Sequence, residues 1–217
     1  MAHEFANYQQ SDEIVQRMQD VPLIAVVGPS RAGKTTLMEY ARARDVGLHF
    51  VVSDTSRPSR PNETDGVHYY FQTKETMEGR ARVGSYATVA PSITGDLYAT
   101  SPDEYDQYGR PIMAVLSSVI PAFRSLFPTM CTVVVLPPDF EAWMGRGEDR
   151  NNQAKRMTEA VESLQFAASD DHSIYIINDD LEAAQAEFMG IVRGEMPSRT
   201  KAGQQLAQQL LSQVQAL

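Results

Sequence analysis

A parallel β-sheet with helices on both faces is the fold class (α/β) that this sequence predicts, and three observations carry it. Short continuous apolar runs alternate with longer stretches of helical periodicity, the pattern of strands buried on both faces and joined by crossover helices. One run, 23–28 (LIAVVG), ends in glycine and leads straight into a helix-compatible stretch. Residues 54–100 break the rhythm with turn chemistry and short aromatic strands, as a small lobe inserted into a larger core does.

In chain order, a short helix is expected over 11–19, with Ser11 as N-cap and Ile14, Val15 and Met18 on one face. Core strands are expected at 23–28, 47–53, 111–116, 131–136 and 173–178. Core helices are expected at 33–44, 117–126, 139–145, 151–167 and 179–192. Within the lobe the pattern gives a strand at 67–71 (VHYYF), a helix near 73–82 and broken strands up to Leu97. The organisation is therefore one domain: a core of about 21–53 and 101–192, the inserted lobe, a lid at about 145–157 and a helical tail at 198–217. Leu206, Leu210, Leu211, Val214 and Leu217 recur at helical spacing in the tail, so it either packs on the body or serves a partner, for instance a homodimer.

The 217 residues carry 19 basic and 28 acidic side chains, a net charge of −9. That excludes a broad nucleic-acid surface, which needs summed Lys and Arg, but not a small basic pocket. A single cysteine, Cys131, excludes an internal disulfide and a Cys-only metal site. No apolar run is long enough to span a membrane and the first 20 residues are polar and acidic, so a cytoplasmic protein is expected. The four histidines lack ligand-like spacing, and Trp143 is expected in the core.

The segment 28–35, GPSRAGKT, fits G-x-x-x-x-G-K-[ST] between a buried strand and a helix. Gly28 and Gly33 allow a loop whose N–H groups turn inward towards a polyphosphate, reinforced by the helix N-terminus. Lys34 would reach the β- and γ-phosphates and Thr35 would coordinate Mg²⁺, with Ser30, Arg31, Ala32 and Thr36 completing an ATP-binding loop. No N-K-x-D motif accompanies it, which disfavours a GTPase. A second anion site is expected at 55–71, where Arg57 and Arg60 stand in a proline-stiffened loop just before tyrosines.

With these residues the chain resembles the guanylate kinase family. The stretch 53–71 (SDTSRPSRPNETDGVHYYF) is similar to that family's S-x-T-T-R-x-P-R-x-G-E-x-D-G-x-x-Y-x-F. Further similarities are LYATS at 97–101, VVLPP at 134–138, GRG at 145–147, Arg156-Met157 and NDDLEAA at 178–184, so that about 22–192 is covered. The resemblance implies an ATP- and Mg²⁺-dependent nucleoside monophosphate kinase. It assigns Arg57, Arg60, Tyr69 and Tyr98 to the acceptor's 5′-phosphate, Ser53 to a place beside the base, and Thr100 to the acceptor site. It assigns Arg146 and Arg156 to the donor phosphates as lid arginines, and Asn178 to the donor base.

The departures cluster around the acceptor base. The family's guanine-reading glutamate has no counterpart in 83–98, which contains no glutamate. The family's D-x-D acids after the third core strand are replaced by 114–119, Ala-Val-Leu-Ser-Ser-Val, with Ala114 and Leu116 where acids are expected. Asp96 or Glu63 is placed to substitute; otherwise the acceptor differs, or the chain is a binding module.

Overall fold

The computed structural model describes residues 4–5, 7–92, 95–106, 109–146, 153–195 and 200–216, and the side chains of these except 153–156. The core strands are β1 (Ile24–Val27), β2 (Leu48–Phe50), β7 (Arg110–Ala114), β8 (Cys131–Leu136) and β9 (Ile174–Ile177). The lobe holds β3 (Asp54–Thr55), β4 (Tyr70–Phe71), β5 (Thr88–Pro91), β6 (Leu97–Thr100) and the helix α3 (Lys74–Arg82). The remaining helices are α1 (Asp12–Met18), α2 (Lys34–Arg42), α4 (Asp103–Asp106), α5 (Ile120–Leu126), α6 (Phe140–Gly145), α7 (Gln153–Ser169), α8 (Leu181–Val192) and α9 (Thr200–Gln215).

The core sheet is parallel throughout, in the order β2-β7-β1-β8-β9. Alternation along β1 divides its two faces. Ile24 and Val26 pack with Leu37 and Met38 of α2 and Phe188 and Met189 of α8. Ala25 and Val27 pack with Trp143, Leu164 of α7 and Leu210 of α9. Because both faces are covered, the strands read as unbroken apolar runs rather than as alternating ones.

The lobe sheet runs β4-β3-β6-β5, with β3–β4 parallel and the other pairs antiparallel. The expected strand at 67–71 shortens to Tyr70–Phe71. Residues 64–68 close a turn instead, in which the Thr64 N–H donates to His68 Nδ1 at 3.0 Å and Gly66 takes φ +72°. The N-terminal segment, polar by composition, joins the two parts. Phe5 is buried among Met77, Tyr86 and Leu97 of the lobe, while Ile14 and Met18 of α1 pack with Phe123 and Phe127 of the core. No helix among the described residues is long and apolar enough to cross a membrane.

The tail forms a helix over Thr200–Gln215, and the described part of its apolar stripe packs within the chain, Leu217 lying outside the described residues. Ala207, Leu210, Leu211 and Val214 are buried in the cluster formed with α7 and the sheet, so the stripe proposed for a homodimer is already covered. Gly203 lets α9 lie directly on the Tyr175 ring, which a Cβ would strike. The Tyr175 hydroxyl is held in turn by the carbonyls of Ala167 at 2.7 Å and Asp170 at 2.8 Å, so the ring has no easy retreat. Gly203→Ala is therefore expected to destabilise by about 1–3 kcal/mol through overpacking. Gly79→Ala, in α3 with open space around it, should stabilise by roughly 0.5–1 kcal/mol. Melting temperatures of the two variants check this pair of opposite signs.

Candidate active site

The loop between β1 and α2 lies at the C-terminal edge of the sheet, where the chain order reverses on either side of β1; open α/β sheets bind ligands in such crevices. Its two glycines are demanded by geometry. Gly28 takes φ +138° and a Cβ there would collide with the Val135 carbonyl oxygen. Gly33 takes φ +104° and a Cβ would collide with Asn178 Nδ2. Arg31, between them, also adopts a positive φ, +67°. Gly33 is the N-cap of α2, and the first turn of α2 carries no acidic residue, so its partial positive charge stays unneutralised.

Lys34 folds back over the loop, its ammonium donating to the carbonyls of Gly28 at 2.7 Å and Pro29 at 2.9 Å. Burial pushes this ammonium down to about 8, with the Glu159 carboxylate acting in the opposite direction. Above that pH the free protein loses the charge that would meet a polyphosphate. ATP affinity should therefore weaken as pH rises through about 8, a point that calorimetric titrations from about pH 7 to about pH 9.5 would check. Constant affinity across that window would contradict the assignment.

The expected donor-side residues do come together. Asn178 Nδ2 donates to the Ala32 carbonyl at 2.8 Å, and Arg146 donates to Ala32 at 3.2 Å and to the Asn178 carbonyl at 2.6 Å. Both side chains thus brace the loop from beneath. Trp143, expected only as core, adds an indole N–H to the Ser30 carbonyl at 2.8 Å, a contact its sequence position gave no sign of. Thr35 and Thr36 are exposed in the first turn of α2. Residues 147–152 of the expected lid and the Arg156 side chain lie outside the described residues.

On the lobe, Arg57 is the centre of a second constellation. Its guanidinium forms a bidentate pair with Glu63 at 2.6 Å on each arm and donates to the Tyr98 hydroxyl at 3.2 Å. It lies 5.0 Å from the Tyr69 ring centroid, and the Tyr69 and Tyr98 rings meet edge-on at 5.7 Å. Glu63 also accepts the Arg60 N–H at 2.8 Å, which together with Arg57 pulls its carboxyl down to about 2. Glu63 therefore orients the arginine clamp, and the structure gives this acid a different task from reading a base. Asp96 immediately precedes β6, four residues before Thr100. Ser53 and Thr100 are joined hydroxyl to hydroxyl at 2.8 Å.

Two further acids, which sequence reasoning left without a role, hold the lobe in place. Glu104 accepts the Val52 N–H and the Tyr70 O–H, each at 3.0 Å, tying the core sheet edge to β4. Asp54, buried in β3, accepts from Arg80 and from the Tyr86 hydroxyl, each at 2.7 Å.

The guanylate kinase family model matches residues 20–195. The chain belongs to the guanylate kinase family. It is 35% identical over 198 residues to guanylate kinase from Symbiobacterium thermophilum, covering 87% of this chain and 92% of that one. It is 35% identical over 171 residues to guanylate kinase from a Nostoc species, covering 75% and 84% respectively. The fold is similar to the crystal structure of guanylate kinase from Anaplasma phagocytophilum, with a TM-score of 0.55 at 19% identity over 84% of this chain and 89% of that one. Family membership makes the chain an enzyme of the nucleoside monophosphate kinase type.

Proposed function

We propose that this chain transfers the γ-phosphoryl group of ATP, with Mg²⁺, to a nucleoside 5′-monophosphate, with GMP or dGMP as the first acceptor to try. The observation that carries the reading is the pairing of a complete donor loop on the core with an arginine–tyrosine clamp on a separate lobe. Each can hold one polyanion, and phosphoryl transfer requires two anions brought in line.

The acceptor needs no general base. A phosphate monoester has its second pKa near about 6 and is ionised at neutral pH. The work is positioning and charge neutralisation. Arg57, Arg60, Tyr69 and Tyr98 would hold the acceptor phosphate, and Lys34, Arg146 and Arg156 would place positive charge on the donor side. The loop fits a magnesium–nucleotide: the exposed Thr35 hydroxyl stands at the start of α2, beside the glycine cradle. Mg²⁺ would be held by Thr35 and by the phosphates themselves, since β7 ends in Ala114 and no group of three metal-ligating side chains occurs among the described residues. Bound there, the ion would draw charge from the β- and γ-phosphate oxygens. On this reading the chain works in the cytoplasm, where Cys131 stays reduced.

The test is turnover. Mg·ATP is titrated first, then ADP release is followed with GMP, dGMP, AMP, CMP, UMP and dTMP. At least one monophosphate should be consumed in step with ADP. ATP binding with no acceptor consumed would direct attention to another phosphorylated small molecule or to a binding module.

A further inference from the structure

Residues 4–18 lie ahead of the stretch matched by the family model, which begins at residue 20. Their first half is bound to the lobe. Phe5 is 5% exposed, in one cluster with Met77 and Ala81 of α3. The Tyr8 hydroxyl donates to the Tyr86 carbonyl at 2.7 Å and accepts the Tyr86 N–H at 2.9 Å, taking up both backbone groups of one residue. Gln10 Nε2 donates to the Ala87 carbonyl at 2.9 Å, and the Ser11 N–H to the Gly84 carbonyl at 3.2 Å. The second half is bound to the core. Met18 is fully buried in a cluster with Phe123 and Phe127, and the Arg17 guanidinium donates to Asp103 at 2.8 Å and Asp106 at 2.9 Å. Beyond α1 the Val21 carbonyl accepts the Thr129 hydroxyl at 2.8 Å, and the chain runs on into β1 and the phosphate loop. Ser11 serves both halves: its N–H is on Gly84, and its hydroxyl accepts the Ile14 N–H at 3.4 Å as the cap of α1. That leaves no slack between them.

The lobe leaves the core after Ser53 and returns at Thr100, and these two are joined hydroxyl to hydroxyl at 2.8 Å. Two crossings this close form one hinge, about which a lobe can swing. The N-terminal segment grips the lobe elsewhere, on α3 and the turn that follows it. Resting on the proposed kinase activity, we infer that residues 4–18 are a strap that fixes the lobe, and with it the Arg57 clamp, relative to the donor loop. Tyr8 is its positioning residue on the lobe side. Holding the clamp in place before the acceptor arrives spares acceptor binding the cost of ordering the lobe.

The test separates restraint from mere stability. Four residues, Gly-Ser-Gly-Ser, inserted between Gln10 and Ser11 keep the side-chain contacts of both halves and give the strap roughly 10–12 Å of slack. The core-to-lobe distance is read on the full chain by time-resolved energy transfer from Trp143, the single tryptophan, whose indole is bonded to the donor loop at Ser30. The receiving dye is a coumarin maleimide on Gly79→Cys, an exposed position of α3 with open space around it. Burial pushes the Cys131 thiol up to about 11, so at neutral pH the new cysteine is labelled first.

The intact strap should give one narrow distance distribution and the slack strap a broader one. Calorimetric titration should show GMP weakened roughly three- to tenfold by the slack, with ATP unchanged. Tyr8→Phe keeps the ring and removes both bonds to Tyr86, which covers the case in which the insertion disturbs folding. It should move both readings in the same direction. An unchanged distance distribution in a variant that melts as a folded protein would overturn the inference, and so would equal weakening of GMP and ATP. A lowered melting temperature with neither reading altered would make the segment a stabilising one only, and overturns it too. Energy transfer needs no turnover. A strap that behaves as expected in a chain consuming no monophosphate ends the kinase reading alone, and turnover with an unchanged distribution ends the strap alone.

Discussion

Replacing Lys34 by alanine should abolish phosphoryl transfer, with kcat falling by at least about 10²–10³-fold, while the protein remains folded. The separation of effects follows from how the loop is built. Its shape is set by Gly28 and Gly33, which no other residue could replace without striking Val135 or Asn178, and by braces from Asn178, Arg146 and Trp143. Lys34 contributes two hydrogen bonds to loop carbonyls at the expense of a partly desolvated ammonium, so its removal costs the fold little. Its charge is what the transferring phosphoryl group would meet. Circular dichroism and a melting curve would establish folding, and turnover with Mg·ATP would measure the loss. Activity within tenfold of wild type would remove Lys34 from the mechanism.

Arg57→Ala should raise the acceptor's KM by roughly 10- to 150-fold and leave ATP affinity unchanged, since a positive charge is withdrawn from the lobe and none from the donor loop. The guanidinium is presented by Glu63, donates to the Tyr98 hydroxyl and lies against the Tyr69 and Phe71 rings, all on the lobe and none on the donor loop. Arg57→Lys should recover only part of the loss, because a lysine keeps the charge but cannot match the Glu63 carboxylate and a phosphate with one planar fork. Arg60, whose side chain is exposed and whose backbone N–H serves Glu63, gives a purer reading of phosphate contact. Loss of ATP binding in folded Arg57→Ala would contradict the division into donor and acceptor sites.

The core was legible in the sequence because each of its strands is buried on both faces and so appears as an apolar run ended by turn residues. The tail was legible for a related reason: a stripe at helical spacing announces a helix, though not what covers it. The lobe was harder. β3 is two residues long, and one of them, Asp54, is a buried acid that composition would place on the surface; only Arg80 and Tyr86, 26 and 32 residues away, make it tolerable. The helical turn α4 was missed because four polar and aromatic residues show no period, yet it supplies both Glu104 and Tyr105. The phosphate loop and the arginine pair were found from local spacing. The roles of Glu63 and Trp143 were not, since each is defined by a partner elsewhere in a loop or across a domain half. Glu63 carried the one usable signal: a carboxylate three residues after one arginine and six after another is placed to hold them.

The most direct measurement is transfer of label from γ-labelled ATP to a nucleoside monophosphate by the wild-type protein with Mg²⁺, followed by separation of the products. The account predicts label in the nucleoside diphosphate, dependent on Lys34 and Arg57. Label found only in inorganic phosphate, or remaining in ATP while the protein binds both nucleotides, would contradict it.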